Sequence, residues 1–101
     1  METFEKNINN GSLHILIKED SIGLTDLHDL NNIVNKELTD ECREVEIDFA
    51  NVTSINSSGL GILIACYKKV KSMNKELRLI NLNDKLLNVF KITKLDTVFG
   101  L

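Results

Sequence analysis

Val45-Glu46-Ile47-Asp48-Phe49-Ala50-Asn51-Val52-Thr53-Ser54-Ile55-Asn56-Ser57-Ser58-Gly59-Leu60-Gly61-Ile62-Leu63-Ile64 decides the fold of this chain. Val45, Ile47 and Phe49 alternate with Glu46 and Asp48, the pattern of a strand with one wet face. A polar turn follows and closes on two serines and two spaced glycines. A long apolar-periodic helix begins at once. Ser57 and Ser58 therefore stand at a helix N-terminus, where free backbone N–H groups and the positive end of the dipole favour an anion. No base, metal ligand or phosphate-gripping lysine neighbours them in the sequence. The pattern points to a serine that is acted upon rather than one that acts.

The helix runs from about Ser57 to about Met73, with Asn74 as its end. At about 100° per residue it has two faces. Gly59, Ile62, Leu63, Cys66, Val70 and Met73 form the core stripe. Ser57, Leu60, Gly61, Ile64, Lys68 and Lys71 share another side. Leu60 and Ile64 there are either flank packing or the apolar centre of a docking surface with a polar rim around Ser57. Gly61 would let a partner approach the helix backbone closely. Lys68, Lys69, Lys71 and Lys75 read as a solvated face that can also steer an acidic partner. The serines themselves are N-caps, modification sites, or one of each, with Ser58 capping and Ser57 accepting.

Downstream, Leu77 and Leu79 alternate with Arg78 and Ile80 as a further strand. Asn83-Asp84 starts a shorter helix whose face is Leu86, Val89 and Phe90. Leu95, Val98 and Phe99 close the chain. Upstream, Phe4, Lys6 and Ile8 alternate with Glu5 and Asn7. Asn10-Gly11 is a hairpin signal, and Leu13, Ile15 and Ile17 resume the alternation. A polar loop from Glu19 to Thr25 leads to a helix with Leu27, Leu30, Val34 and Leu38 on one face and Ile33 beside them. Asp26 and Asp29 lie in its first turn. Thr39 to Glu44 is a charged connector. The order β-β-α-β-α-β-α and a tail predicts an α/β fold, a mixed sheet of four to five strands with helices mainly on one face. No repeat or linker divides the chain, so 1–101 reads as a single domain.

Composition removes several function classes. A net charge of −3 argues against a nucleic-acid partner. The longest apolar run, Leu60 to Tyr67, is too short for membrane insertion. No signal-peptide pattern opens the chain, so the expected compartment is the cytoplasm. Cys66 reads as a small core residue, and Cys42 lies in the charged connector; no disulfide is expected there. The chain has neither a phosphate-binding loop nor a dinucleotide fingerprint. Ile55 stands where a nucleophile elbow needs glycine. His14 and His28 read as surface or satisfied residues, and the two cysteines and two histidines lack zinc spacing. No enzyme activity, cofactor or metal is expected.

From Ile47 to Gly61 the chain resembles the anti-sigma-factor antagonist family, the bacterial single-domain STAS proteins. The family pattern is an alternating strand, a short turn, then Asp-Ser-(Ser/Ala)-Gly-Leu-Gly opening a helix. Leu77-Arg78-Leu79-Ile80 is similar to the family's next strand. Leu86 to Phe99 is similar to its last helix and Leu-Asp-x-hydrophobic-Phe tail. The resemblance is carried by residues 45–99; before residue 40 only the order of elements matches.

The resemblance implies that Ser57 is phosphorylated by a partner, an anti-sigma factor that is also a serine-protein kinase. The unphosphorylated form would bind that partner and free its sigma factor. A serine phosphatase acting on phosphorylated Ser57 would restore it. The implied contact set is Ser57, Ser58, Leu60, Gly61 and Ile64, with Asn56 and Asp20 at the rim. Three positions depart from the pattern. Asn56 stands where the family has an acid. In the loop Glu19-Asp20-Ser21-Ile22-Gly23, Asp20 stands in for one acid and Ile22 replaces another. Lys94 stands where a helix-ending glycine is usual. The alternative on the same fold is a phosphorylation-independent adaptor subunit of a signalling, biofilm-regulatory or lipid-transport complex. The expected oligomeric state is a monomer or a weak dimer through a sheet edge.

Overall fold

The structure is a computed structural model that describes residues 4–20, 26–39 and 42–101. Ile22 lies outside the described residues, as do the side chains of Asp26, Leu27 and His28. Strands β1 (Phe4–Asn9) and β2 (Ser12–Ile17) pair antiparallel, with Asn9 opposite Ser12. Asn10 (φ 51°) and Gly11 (φ 81°) join them. Both central residues of this two-residue turn are left-handed, which matches the right-handed twist of the strands and explains the Asn-Gly pair.

Helix α1 (Asp26–Glu37) crosses to β3 (Glu44–Asp48), and α2 (Ser57–Ser72) crosses to β4 (Glu76–Ile80). Crossover helices allow parallel pairing. β3 lies parallel to β2 and β4 parallel to β3, giving a mixed sheet in the order β1-β2-β3-β4. The described residues thus form four strands, the lower of the two expected numbers. Helices α3 (Asp84–Ile92) and α4 (Leu95–Phe99) complete the chain.

The helical layer covers one face of the sheet. Leu13, Ile15 and Ile17, Val45 and Ile47, and Leu77 and Leu79 are buried there. Against them pack Leu30 and Val34 of α1, Ile62, Leu63, Cys66 and Val70 of α2, Leu86 and Phe90 of α3, and Phe99 of α4. Each fully buried aliphatic side chain stabilises the fold by about 1.5–3 kcal/mol, so this single cluster dominates. Phe99 meets Tyr67 and Phe90 edge to face, with ring centroids 5.4 and 5.6 Å apart, and so closes the C-terminal tail onto α2 and α3.

The other sheet face carries one polar row and one mixed row in register. One row is Asn7, His14, Glu46 and Arg78; another is Glu5, Leu16, Asp48 and Ile80. The two ends of α2 are built differently. Its C-terminus is a Schellman turn: Asn74 is left-handed (φ 61°), its N–H donates to Lys71 O, and Lys75 N–H donates to Val70 O. Asn74 thus ends the helix as expected.

Burial at two places goes beyond what the sequence pattern states. Cys42 is 2% exposed and packs in the core cluster, although its neighbours are charged. Its thiol lies above the ordinary value because burial disfavours the thiolate, and burial pushes Cys66 up to about 12. Both cysteines are free. Along β1, Phe4, Lys6 and Ile8 do share the core-side face, opposite Ile17, Ile15 and Leu13. Only Phe4 is buried. Lys6 reaches Glu37 of α1 at 2.7 Å, and Ile8 remains 54% exposed.

Candidate functional site

The loop from Phe49 to Asn56 carries the chain from β3 to α2. It is laced to its neighbours at short intervals. Phe49 N–H donates to Ile80 O at 3.0 Å. Asn51 Nδ2 donates to Ile17 O at 3.4 Å, and Asn83 Nδ2 donates to Val52 O at 3.3 Å. Asp20 O accepts from Thr53 N–H at 2.8 Å and Ser54 N–H at 3.3 Å. The structure therefore brings Asp20 against the segment that leads into the serines.

Asn56 is the N-cap of α2. Its backbone is extended (φ −105°, ψ −178°), its Oδ1 accepts Gly59 N–H at 2.9 Å, and its carbonyl accepts Leu60 N–H at 3.0 Å. Of the alternatives that the sequence leaves open for this cap, Asn56 fills the role and neither serine does. A carboxamide at position 56 reaches the third helical N–H, a reach that makes asparagine a strong N-cap. Ser57 and Ser58 are exposed, and neither hydroxyl has a hydrogen-bond partner among the described residues. The first turn of α2 holds no acid, so no carboxylate of that turn competes for its free N–H groups.

Gly59, Ile62, Leu63, Cys66 and Val70 face the core as the periodicity predicts. The outward face is more finely divided than a helical projection shows. Leu60 is half-buried and packs on the core cluster. Ile64 is half-buried but does not join that cluster. Gly61 is exposed, and a Cβ built there meets nothing within 4 Å. Nothing in the free chain requires glycine at this helical position. Lys68 and Lys69 are exposed, whereas Lys71 Nζ lies 3.3 Å from Glu76 and Lys75 Nζ donates to Thr39 O at 3.0 Å.

One network near the site was not visible in the sequence. Asp48, the last residue of β3, is 8% exposed. Its Oδ1 accepts from Ala50 N–H at 2.9 Å and from Asn81 Nδ2 at 3.0 Å, and its Oδ2 faces His14 Nε2 at 2.9 Å. Burial raises the Asp48 carboxyl, but the bonds from Asn81, the Ala50 N–H and His14 outweigh it and hold the carboxyl below its ordinary value. Among the described residues no three His, Cys, Asp or Glu side chains form a metal-binding group. No helix among them is long and apolar enough to cross a membrane.

A family model described as Mlab, STAS domain matches residues 19–101. By sequence the chain is similar to an anti-sigma-B factor antagonist of Listeria monocytogenes, 33% identical over 54 residues, which are 54% of this chain and 47% of that protein. The chain thus spans about half the length of this curated relative. In shape it is similar to the Thermotoga maritima protein TM1081, with a TM-score of 0.80 at 21% identity over 96% of this chain and 78% of the other. It is also similar to the Bacillus anti-sigma factor antagonist SpoIIAA in its unphosphorylated form, with a TM-score of 0.72 at 13% identity over 97% of both chains. At these identities the structural likenesses show the fold.

Proposed function

This chain belongs to the STAS domain family, and on that premise we propose that it is an anti-sigma-factor antagonist switched at Ser57. Its unphosphorylated form binds an anti-sigma factor that is also a serine kinase, in the cytoplasm, and so releases a sigma factor. Phosphorylation of Ser57 ends the binding, and a serine phosphatase reverses it. The contact set is Ser57, Ser58, Leu60, Gly61 and Ile64, with Asn56 and Asp20 at its rim. The similar proteins described as anti-sigma factor antagonists support this reading.

The observation that carries it is local. Asn56 takes over the capping of α2, which leaves the Ser57 hydroxyl exposed and, among the described residues, without a hydrogen-bond partner, on a helix whose next turn carries an exposed glycine. A phosphate on Ser57 adds about −1.5 to −2 charges. Solvent and the helix N-terminus accommodate that charge in the free chain. At a partly apolar interface the same charge must be desolvated, and each 1.4 kcal/mol of that cost is about tenfold in affinity. Docking is lost while the fold stays.

The neutral side chain of Asn56, where the family pattern has an acid, favours a second reading, the phosphorylation-independent adaptor on the same surface. Incubation with the cognate kinase and ATP separates the two. The switch predicts a mass increase of about 80 Da located on Ser57. A complex that forms without any mass increase identifies the adaptor.

A further inference from the structure

We propose that Asp48 is a positioning residue for the loop that presents Ser57, and that His14 conveys its own protonation to that loop through Asp48. The inference rests on the docking reading for its functional meaning, but its structural content stands on the free chain.

Asp48 joins three segments that are far apart in sequence. His14 comes from β2, Ala50 from the loop after β3, and Asn81 from the loop after β4. Asn81 is left-handed (φ 59°) and lies two residues before Asn83, whose side chain caps α3 through Leu86 N–H and also bonds Val52 O. The β3–α2 loop is thus held at Ala50 by the carboxylate and at Val52 by the neighbouring loop. Ala50 and Asn81 share one oxygen of Asp48, so a change in that carboxylate moves both holds together. Asp48 is the buried member of this network; His14 is half-buried, and Ala50 and Asn81 are exposed. The path from Ala50 to Ser57 is seven residues long and is tied down again at Thr53 by Asp20 O.

His14 gives this clasp a variable member. A neutral ring donates to Asp48 Oδ2 only as the Nε2–H tautomer, whereas the protonated ring donates in either case and adds a charge. The charged and polar groups around it lie on the open sheet face. Glu46 is opposite His14 on β3 and is held by Arg78 of β4; Asn7 is opposite it on β1, and Glu5 lies in the same row as Asp48. Helices cover only the other face, and among the described residues Asp48 is the group whose side chain meets the His14 ring at hydrogen-bond distance.

The test follows backbone amides of the free chain by NMR between about pH 5 and pH 8, the range in which imidazoles change charge. The expected result is that the amides of Ala50 and of Ser57 to Gly59 shift along one curve with the His14 ring. In His14→Gln, which keeps a hydrogen-bonding side chain without the titration, that curve disappears. Asn81→Gly removes the carboxamide while tolerating the left-handed backbone; it should speed amide exchange at Ala50 and Thr53 about tenfold or more. Asp48→Asn should do the same, and if it fails to fold the other two variants decide. Ser57 to Gly59 amides that stay still through the His14 titration, or that keep their wild-type positions and exchange rates in a folded Asn81→Gly, overturn the proposal. Either result would leave the docking reading standing, because no partner enters the measurement.

Discussion

Asn56 Oδ1 accepts the backbone N–H of Gly59 at 2.9 Å, spanning both serines between them. That single bond assigns the capping of α2 to Asn56. It therefore separates the residue that stabilises the helix from the residues available to a partner. Asn56→Ala should cost about 1 kcal/mol of stability, whereas Ser57→Ala and Ser58→Ala should each stay within about 0.5 kcal/mol. Urea denaturation of the three variants checks this. A loss at Ser58→Ala as large as that at Asn56→Ala would return the cap to the serine.

Gly61 separates fold from docking in the opposite sense. A methyl group there meets no atom within 4 Å, and alanine is the better helix former by about 1 kcal/mol. Gly61→Ala should stabilise the free chain by about that amount and weaken its complex. Parallel measurements of the denaturation midpoint and of partner affinity decide it. A variant that is both more stable and equally tight in binding would remove Gly61 from the contact set.

Lys94 links α3 to α4 in the left-handed region, at φ 63°. A side chain at such a position costs about 1 kcal/mol, and glycine returns part of that through its more flexible unfolded state. Lys94→Gly should raise stability by about 0.5–1 kcal/mol and leave docking unchanged. Thermal unfolding is the measurement, and a lowered midpoint would contradict it.

Asp48 gives the stability of the chain an acid limb. Burial works against its charge, but the Asn81, Ala50 and His14 bonds prevail, and its folded pKa lies below the ordinary aspartate value. A depressed folded pKa contributes stability that is present above about pH 4 and is lost as pH falls through the lowered folded value. Urea midpoints between about pH 2 and pH 6 should therefore fall more steeply in the wild type than in Asp48→Asn. Equal slopes would show that Asp48 titrates alike in the folded and unfolded chains.

Much of this architecture is written locally, and those parts were legible in the sequence. Asn10-Gly11 forms its turn because two left-handed residues are needed there. The α2 core stripe follows from a 3.6-residue period, and Asn74 ends the helix by the backbone freedom of asparagine. What escaped the sequence depends on distance along the chain. Asp48, His14 and Asn81 are separated by more than thirty residues on either side, and no local pattern announces their meeting. Cys42 lies among charges yet is buried in the core cluster, a tertiary placement that its local sequence does not announce. At the site itself, a helical projection places Leu60 and Ile64 together. Only the packed structure separates Leu60, which touches the core, from Ile64, which does not.

The central claim is that a charge on Ser57 ends docking without disturbing the fold. Its most direct test is the affinity of Ser57→Asp and of the unmodified chain for the cognate anti-sigma factor kinase, measured side by side with the denaturation midpoint as a check on folding. The account predicts an unchanged midpoint and an affinity at least about tenfold weaker for Ser57→Asp. Equal affinity in a normally folded Ser57→Asp would contradict it.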